Sequence, residues 1–126
     1  MARVLVVDDE PAIRSLIRTT LERAGHTVFE AGDGPSGLQA AQGHLPDLVL
    51  LDVALPGLSG LDVCRRLRAA SNTARAVVLL LTGLPETAGQ PSAGADGWIQ
   101  KPFAPDGITR QVEQALRLRR EAAARR

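Results

Sequence analysis

Five side chains that could do chemistry together each stand directly after a short apolar stretch of the chain. They are Asp8 and Asp9 after residues 4–7, Asp52 after residues 48–51, Thr82 after residues 77–81, and Lys101 after a further short stretch. Lys101 is the sole lysine beside fourteen arginines. The ammonium of a lysine is a compact, movable point charge, whereas the guanidinium of an arginine is planar and rigid. Because arginine is the usual cation of this chain, a lysine at this position indicates a site where a guanidinium does not serve.

Three carboxylates brought together repel one another unless a cation lies between them. One lysine does not balance three acids, which indicates a hard divalent metal. Magnesium prefers a few carboxylate oxygens and keeps waters that a phosphate can displace. A carboxylate can also act as a nucleophile on phosphorus. Asp52 is the candidate nucleophile because it stands alone after the most apolar run, and the Asp8–Asp9 pair suits metal binding.

The composition predicts one domain with an aliphatic core. The chain has 126 residues, of which 44% are hydrophobic and only three are aromatic. The net charge of +1 gives no general case for nucleic acid, and no apolar run approaches the length of a membrane span. One cysteine, Cys64, excludes an internal disulfide framework. Because the N-terminus also lacks signal-peptide features, we expect a cytoplasmic protein.

Short apolar runs alternate with amphipathic segments, which predicts βαβ units on a parallel sheet. The predicted strands cover residues 3–7, 26–30, 48–53, 76–81 and 98–100. The predicted helices cover residues 11–23, 35–42, 60–70 and 105–122. The second strand is the most polar, so we expect it at an edge. Since ligands bind at the carboxyl ends of such strands, the five side chains should meet there.

Three other features carry expectations of their own. Scattered Gly and Pro between Thr82 and Trp98 predict a short or irregular helix. Cys64 lies on a helical apolar stripe and is expected to be buried, whereas His26 and His44 stand beside turn residues and are expected at the surface.

Four motifs in this order and spacing resemble the signatures of a known family. They are Asp8-Asp9, Asp52-Val-Ala-Leu-Pro56-Gly-Leu-Ser-Gly60, Leu81-Thr82-Gly83, and Gly94-Ala-Asp-Gly-Trp98-Ile-Gln-Lys101-Pro102-Phe103. The chain is similar, over essentially its whole length, to the receiver domains of two-component response regulators, the CheY-like superfamily. The resemblance implies a single flavodoxin-like α/β domain, a doubly wound five-stranded parallel sheet in the order 2-1-3-4-5 flanked by helices.

The resemblance also implies roles at the site. Asp52 accepts a phosphoryl group from a histidine kinase or histidine phosphotransferase. Mg²⁺ is bound by Asp9, Asp52 and the backbone carbonyl of Ala54, and by Asp8 through water. We expect a phosphoacceptor that promotes its own phosphorylation and dephosphorylation rather than a turnover enzyme.

The family's switch implies two further roles. Thr82 and Lys101 contact the phosphoryl oxygens, and Thr82 then moves so that the ring of Trp98 turns inward. Family members often have a cis peptide before the proline that matches Pro102. Trp98 departs from the usual Tyr or Phe, and the interval from Thr82 to Lys101 is a few residues short. Both departures fall on the segment that would carry the switch and its output surface.

The domain is expected to cover residues 1–120, with residues 121–126 a basic tail or the start of a linker. The partners expected are the phosphodonor and an output partner or missing output domain, without direct nucleic-acid or membrane binding; a homodimer is left open. One alternative is a receiver-like docking domain independent of phosphorylation. Another is a phosphohydrolase, although that class usually carries a second Asp where this chain has Ala54.

Overall fold

Strands and helices alternate along residues 1–83 and 93–125, which are the residues that the computed structural model describes. The strands are β1 (Arg3–Val7), β2 (Thr27–Ala31), β3 (Leu48–Asp52), β4 (Val77–Thr82) and β5 (Gly97–Gln100). The helices are α1 (Pro11–Arg23), α2 (Gly34–His44), α3 (Gly60–Ala69) and α4 (Pro105–Ala124). The irregular helix predicted between β4 and β5 falls largely on residues 84–92, outside the described residues.

The five strands form one parallel sheet in the order β2-β1-β3-β4-β5. This confirms the predicted fold class and strand order. The more polar β2 lies at an edge, as its composition predicted. All five residues of β3 are buried, because this central strand is covered by helices on both faces.

Two aliphatic cores lie on opposite faces of the sheet, because successive side chains of a strand point to opposite sides. Val4 and Val6 of β1 pack on the face covered by α1 and α4. Leu5 and Val7 pack on the other face, covered by α2 and α3. The buried thiol of Cys64 belongs to this second core, as predicted, and burial raises its pKa.

The longest described helix, α4, has a narrow apolar stripe. Its buried residues are Ile108, Val112 and Leu116, spaced four apart on one face. Among residues 1–83 and 93–125, no helix combines the length and the apolar character needed to cross a membrane.

The prediction that His26 lies at the surface is wrong. His26 is 7% exposed, and its Nδ1 accepts a hydrogen bond from the Ala2 N–H at 3.1 Å. Its Nε2 lies 3.1 Å from Glu113 of α4. These contacts join segments that are far apart in sequence, so the local turn signal could not reveal them. His44 is exposed, as predicted, and stacks on Phe29.

Candidate functional site

The register of the sheet brings the predicted side chains to one edge. Val7 pairs with Leu51, so Asp8 and Asp52 follow paired residues of neighbouring strands. Thr82 ends β4 and pairs with Gln100, the last residue of β5, and Lys101 directly follows Gln100. The Lys101 N–H donates to the Thr82 main-chain oxygen at 2.7 Å. Asp8, Asp52, Thr82 and Lys101 thus lie at the carboxyl ends of four adjacent strands.

Lys101 joins the buried carboxylates of this edge. Its Nζ donates to Asp8 Oδ2 at 2.8 Å and to Asp52 Oδ2 at 3.1 Å, and it lies 3.5 Å from Glu10 Oε1. Asp8 is fully buried and Asp52 is 6% exposed. The ammonium reaches both carboxylates at the end of a long side chain.

Four carboxylates come together around this ammonium. One oxygen from each of Asp8, Asp9, Glu10 and Asp52 lies within 4.8 Å of the others. Asp9 and Glu10 are exposed, so the cluster has a buried half and a half open to solvent. The ionised acids carry more negative charge than Lys101 can balance, and all their donors are oxygen. This arrangement can hold a hard cation.

Burial and pairing shift the pKa values of the two central groups. Burial is the main cause that raises the pKa of Asp52 above its ordinary 3.8, and the charge of Asp8 adds to it. The Ala54 N–H and Lys101 act in the opposite direction. For Lys101, burial lowers the pKa, but hydrogen bonds with Asp8 and Asp52 more than offset this, so its pKa is raised. Lys101 therefore stays protonated, but its positive charge balances the negative charge of Asp52 only in part.

The backbone after β3 is shaped around Asp52. The Ala54 N–H donates to Asp52 Oδ1 at 3.0 Å, which holds Ala54 beside the carboxylate. The chain then returns so that the Gly60 N–H donates to the Val53 main-chain oxygen at 2.8 Å. A Cβ on Gly60 would lie 2.2 Å from the Asp52 main-chain oxygen, so only glycine fits this approach.

Trp98 lies away from the carboxylates in the sheet register. It pairs with Leu80 on β4 and packs, half-buried, against the core on the α2 and α3 face. Ile99 faces the opposite core. The peptide before Pro102 is cis, as the family resemblance implied.

Sequence reasoning missed three residues at this site. Glu10 follows Asp8 and Asp9 directly and belongs to no motif named above, yet it lies within the carboxylate cluster, and among the described residues its side chain makes no capping bond to α1. Gly60 was read only as the end of a motif, although a glycine after a turn was the available signal. Arg14 donates from Nη1 to the Asp8 main-chain oxygen at 2.7 Å, which no motif indicated.

Comparisons with known proteins agree with this geometry. The sequence model of the family described as "Response regulator receiver domain" matches residues 4–113. The chain is 40% identical over 120 residues to the "DNA-binding dual master transcriptional regulator RpaA" of Synechocystis, covering 93% of this chain and 50% of the relative. It is 40% identical over 125 residues to the "Alkaline phosphatase synthesis transcriptional regulatory protein PhoP" of Bacillus subtilis, covering 97% and 51%.

Solved structures show the same similarity. The chemotaxis response regulator CheY4 of Vibrio cholerae superposes with a TM-score of 0.87 at 33% identity, covering 91% of this chain and 98% of that one. NtrX of Brucella abortus gives a TM-score of 0.89 at 33% identity, covering 98% of this chain and 29% of that one. The chain spans about half the length of the curated relatives it matches. Sequence, fold and comparisons together establish that the chain belongs to the response-regulator receiver domain family, whose members are phosphoacceptors of two-component signalling.

Proposed function

We propose that Asp52 is the residue of this receiver domain that accepts the phosphoryl group. The observation that carries the proposal is the pair of hydrogen bonds from Lys101 Nζ to Asp8 and Asp52 at the carboxyl edge of the sheet. Asp52 is the one carboxylate of the cluster that ends a buried central strand, where the backbone fixes its position.

The residues present fit a magnesium ion. Asp9, Asp52 and the backbone carbonyl of Ala54 would hold it, with Asp8 acting through water, and Glu10 stands close enough to add an oxygen. Magnesium favours such hard oxygen donors and retains waters that phosphate oxygens can replace. Bound there, it supplies positive charge against the phosphoryl oxygens.

In the transfer itself, a carboxylate oxygen of Asp52 forms a bond to phosphorus while the bond from phosphorus to the donor nitrogen breaks. The electron pair of that bond leaves with the imidazole of a phosphohistidine donor, and Asp52 becomes an acyl phosphate. Lys101 Nζ, 3.1 Å from Asp52 Oδ2, is within reach of the incoming phosphoryl oxygens. Thr82, which ends the adjacent strand, is proposed to donate its hydroxyl to another of those oxygens.

The readout is proposed to pass from Thr82 to Trp98. Both belong to the β4–β5 pair, and the main chain of Lys101 is bonded to that of Thr82. A move of Thr82 toward the phosphoryl group changes the packing around Trp98 and thereby a surface that a partner can read. We propose a histidine kinase or histidine phosphotransferase as the donor, without turnover of a separate substrate.

The relatives' names describe DNA-binding and transcriptional regulators. For this chain we propose that residues 1–120 form the domain and that residues 121–126 are a tail or the start of a linker. An output partner or output domain is then what the switch controls, and the receiver domain itself makes no direct contact with nucleic acid.

Intact-mass measurement after incubation with acetyl phosphate and Mg²⁺ tests the proposal. The wild type is expected to gain one phosphoryl group, and Asp52→Asn none. Asp62→Asn, which changes a half-exposed carboxylate of α3 that accepts a hydrogen bond from the Ser59 hydroxyl, is the matched control and should be labelled like the wild type. Removal of the metal with EDTA should abolish labelling. Labelling of Asp52→Asn at the wild-type level would refute Asp52 as the acceptor.

A wild type that takes no label would instead favour the phosphorylation-independent docking domain. Trp98 is the only tryptophan in the chain, so its emission reports on one place. Beryllofluoride with Mg²⁺ should change that emission in the wild type and leave it unchanged in Asp52→Asn. An unchanged spectrum in a wild type that does take label would remove Trp98 from the switch and leave the phosphoacceptor standing.

A further inference from the structure

We propose that Arg14 is a positioning residue for the cation site. In this proposal it holds the peptide group between Asp8 and Asp9 so that both carboxylates face one ion. The inference rests on the proposed function, because it concerns the cation that supports phosphoryl transfer at Asp52.

Asp8 is held from two sides. Its Oδ1 accepts the Glu10 N–H at 2.9 Å, and its Oδ2 accepts from Lys101. Its main-chain oxygen is held separately, by Arg14 Nη1 at 2.7 Å. The carboxylate of Asp8 is thus directed into the cluster by one set of donors while Arg14 restrains the carbonyl group.

That carbonyl matters because of Asp9. The C=O of Asp8 and the N–H of Asp9 share one planar peptide group, so rotation of this plane moves the Cα of Asp9 and its side chain. Within the part of the chain that the structure describes, the Asp9 side chain has no hydrogen bond or ion pair. Its direction is therefore set through the backbone, and Arg14 is the side chain that restrains this backbone.

Arg14 is itself fixed from the neighbouring strand. Its Nε donates to Glu30 Oε1 at 3.2 Å, and Glu30 Oε2 accepts from Arg18 at 2.8 Å. The pKa of Glu30 is lowered from its ordinary 4.5, first by the hydrogen bond from Arg18 and also by that from Arg14, and at neutral pH this acid is ionised even without Arg18. Gly32 leaves room for the guanidinium, since a Cβ there would lie 3.2 Å from Arg14 Nη1.

The planar guanidinium suits this task. It offers donors in a rigid fork, so one side chain can hold a carboxylate with Nε and a carbonyl with Nη1 at once. A lysine has one ammonium in place of these separate donors. Replacing Arg14 by Lys should therefore keep the positive charge but lose the simultaneous hydrogen bonds to Glu30 and to the Asp8 main-chain oxygen. The side chain of Arg14 is 21% exposed, which limits the competition from water.

The test measures cation binding directly, in the absence of any phosphodonor. Mn²⁺ is titrated into each protein and the free ion is followed by electron paramagnetic resonance, with Mg²⁺ as competitor. Arg14→Gln is expected to bind Mn²⁺ roughly tenfold more weakly, the usual size of a loss of a residue that orients a metal ligand. Arg14→Lys should fall between Arg14→Gln and the wild type.

Arg18→Gln is the matched control. It also removes a guanidinium from Glu30, but Arg18 makes no recorded contact with the Asp8–Asp9 peptide among the described residues. Its affinity for Mn²⁺ should stay within about twofold of the wild type, since its ion pairs are half-exposed and weak. Urea midpoints of all variants are measured alongside, so a general loss of stability is separated from a loss at the site.

Each outcome decides the matter. Weak binding by Arg14→Gln with near-normal binding by Arg18→Gln supports the proposal. Normal binding by Arg14→Gln, or an equal loss in both variants, overturns it and leaves the proposed function intact. A wild type that binds no Mn²⁺ overturns both. If Arg14→Gln fails to fold, Arg14→Lys takes its place under the same criteria.

Discussion

Charged side chains gather at both ends of the sheet, but the two clusters are composed in opposite ways. At the carboxyl ends of the strands, four carboxylates surround Lys101. Before the amino end of β5, two arginines, Arg68 and Arg119, each hold Asp96 at 2.8 Å. We call these the carboxylate cluster (Asp8, Asp9, Glu10, Asp52 and Lys101) and the Asp96 clamp (Arg68, Asp96 and Arg119).

The polar groups of the Asp96 clamp form their hydrogen bonds with other groups of the protein. Asp96 Oδ2 also accepts the Val78 N–H at 2.8 Å, which ties the clamp to β4. The other guanidinium N–H groups donate to main-chain oxygens of Gly94, Ala74, Ala76 and Arg75. Donors and acceptors match, so the clamp stabilises structure. The carboxylate cluster instead holds surplus negative charge, which is the imbalance on which the proposed cation site rests.

Removal of Lys101 should produce the largest effect on stability. In metal-free buffer, Lys101→Met leaves Asp8 and Asp52 buried without their cation and should lower the free energy of unfolding by about 3 kcal/mol. Arg119→Met removes a partly exposed cation from Asp96, which Arg68 still holds, and should cost about 1 kcal/mol or less. Urea denaturation with EDTA measures both. Equal losses would contradict the asymmetry between the clusters.

The same substitution at one acid of each cluster should have opposite signs. Asp96→Asn removes the charge that two guanidiniums share and should lower the free energy of unfolding by about 2 kcal/mol. Asp52→Asn removes a carboxylate whose pKa is raised, chiefly by burial and also by the charge of Asp8, and should therefore raise the metal-free free energy of unfolding by about 1 kcal/mol. Urea curves recorded at pH 7 in EDTA compare the two. A destabilised Asp52→Asn would mean that Lys101 already balances the cluster.

The carboxylate cluster was largely predictable because its members follow strands. A strand is visible as a short apolar run, and parallel strands end at the same edge, so Asp8, Asp52, Thr82 and Lys101 could be grouped from sequence. The strand order came from family resemblance, whereas the edge position of β2 followed from its polar composition. Element ends differ from the predicted ones by at most two residues, the usual ambiguity of frayed termini.

The Asp96 clamp could not be predicted in this way. Arg68 and Asp96 are 28 positions apart, and Arg119 is a further 23 along, so no local period links them. Their pairing depends on how α3 and α4 pack beside β4 and on the rotamers of two long side chains. The burial of His26 escaped for the same reason, because its partners, Ala2 and Glu113, are supplied by tertiary packing.

Magnesium should stabilise the protein through the carboxylate cluster alone. At an Mg²⁺ concentration ten times its dissociation constant, linkage adds about 1.4 kcal/mol to the free energy of unfolding. Asp9→Asn should lose most of this gain, because it removes a proposed ligand, whereas Asp96→Asn should keep it. Urea curves with and without Mg²⁺, at ionic strength matched with NaCl, report the difference. The same gain in both variants would remove Asp9 from the ligand set.

The smallest effect concerns pH. The contribution of Asp52 to the free energy of unfolding should change with pH in the opposite direction to that of Glu30. The pKa of Asp52 is raised above its ordinary 3.8, so the folded protein keeps a proton that the unfolded chain has released. Metal-free stability contributed by Asp52 therefore rises as the pH falls from neutral through the raised pKa toward 3.8. The pKa of Glu30 is lowered from 4.5 by its arginine partners, so its contribution is complete above 4.5 and is lost as the pH falls through the lowered pKa.

The titration of Asp52 and that of Glu30 each change the free energy of unfolding by at most about 1.4 kcal/mol per pH unit, and in the wild type the two changes have opposite signs. Asp52→Asn and Glu30→Gln separate them. The stability advantage of Asp52→Asn over the wild type should be largest at pH 7 and shrink as the pH approaches 3.8. The deficit of Glu30→Gln should also shrink below pH 4.5, because the wild type then loses the ion pairs that the variant lacks. Urea midpoints measured between pH 3.5 and 7 follow both differences. If the stability advantage of Asp52→Asn stays constant with pH, the ionised form of Asp52 is not destabilised in the folded protein.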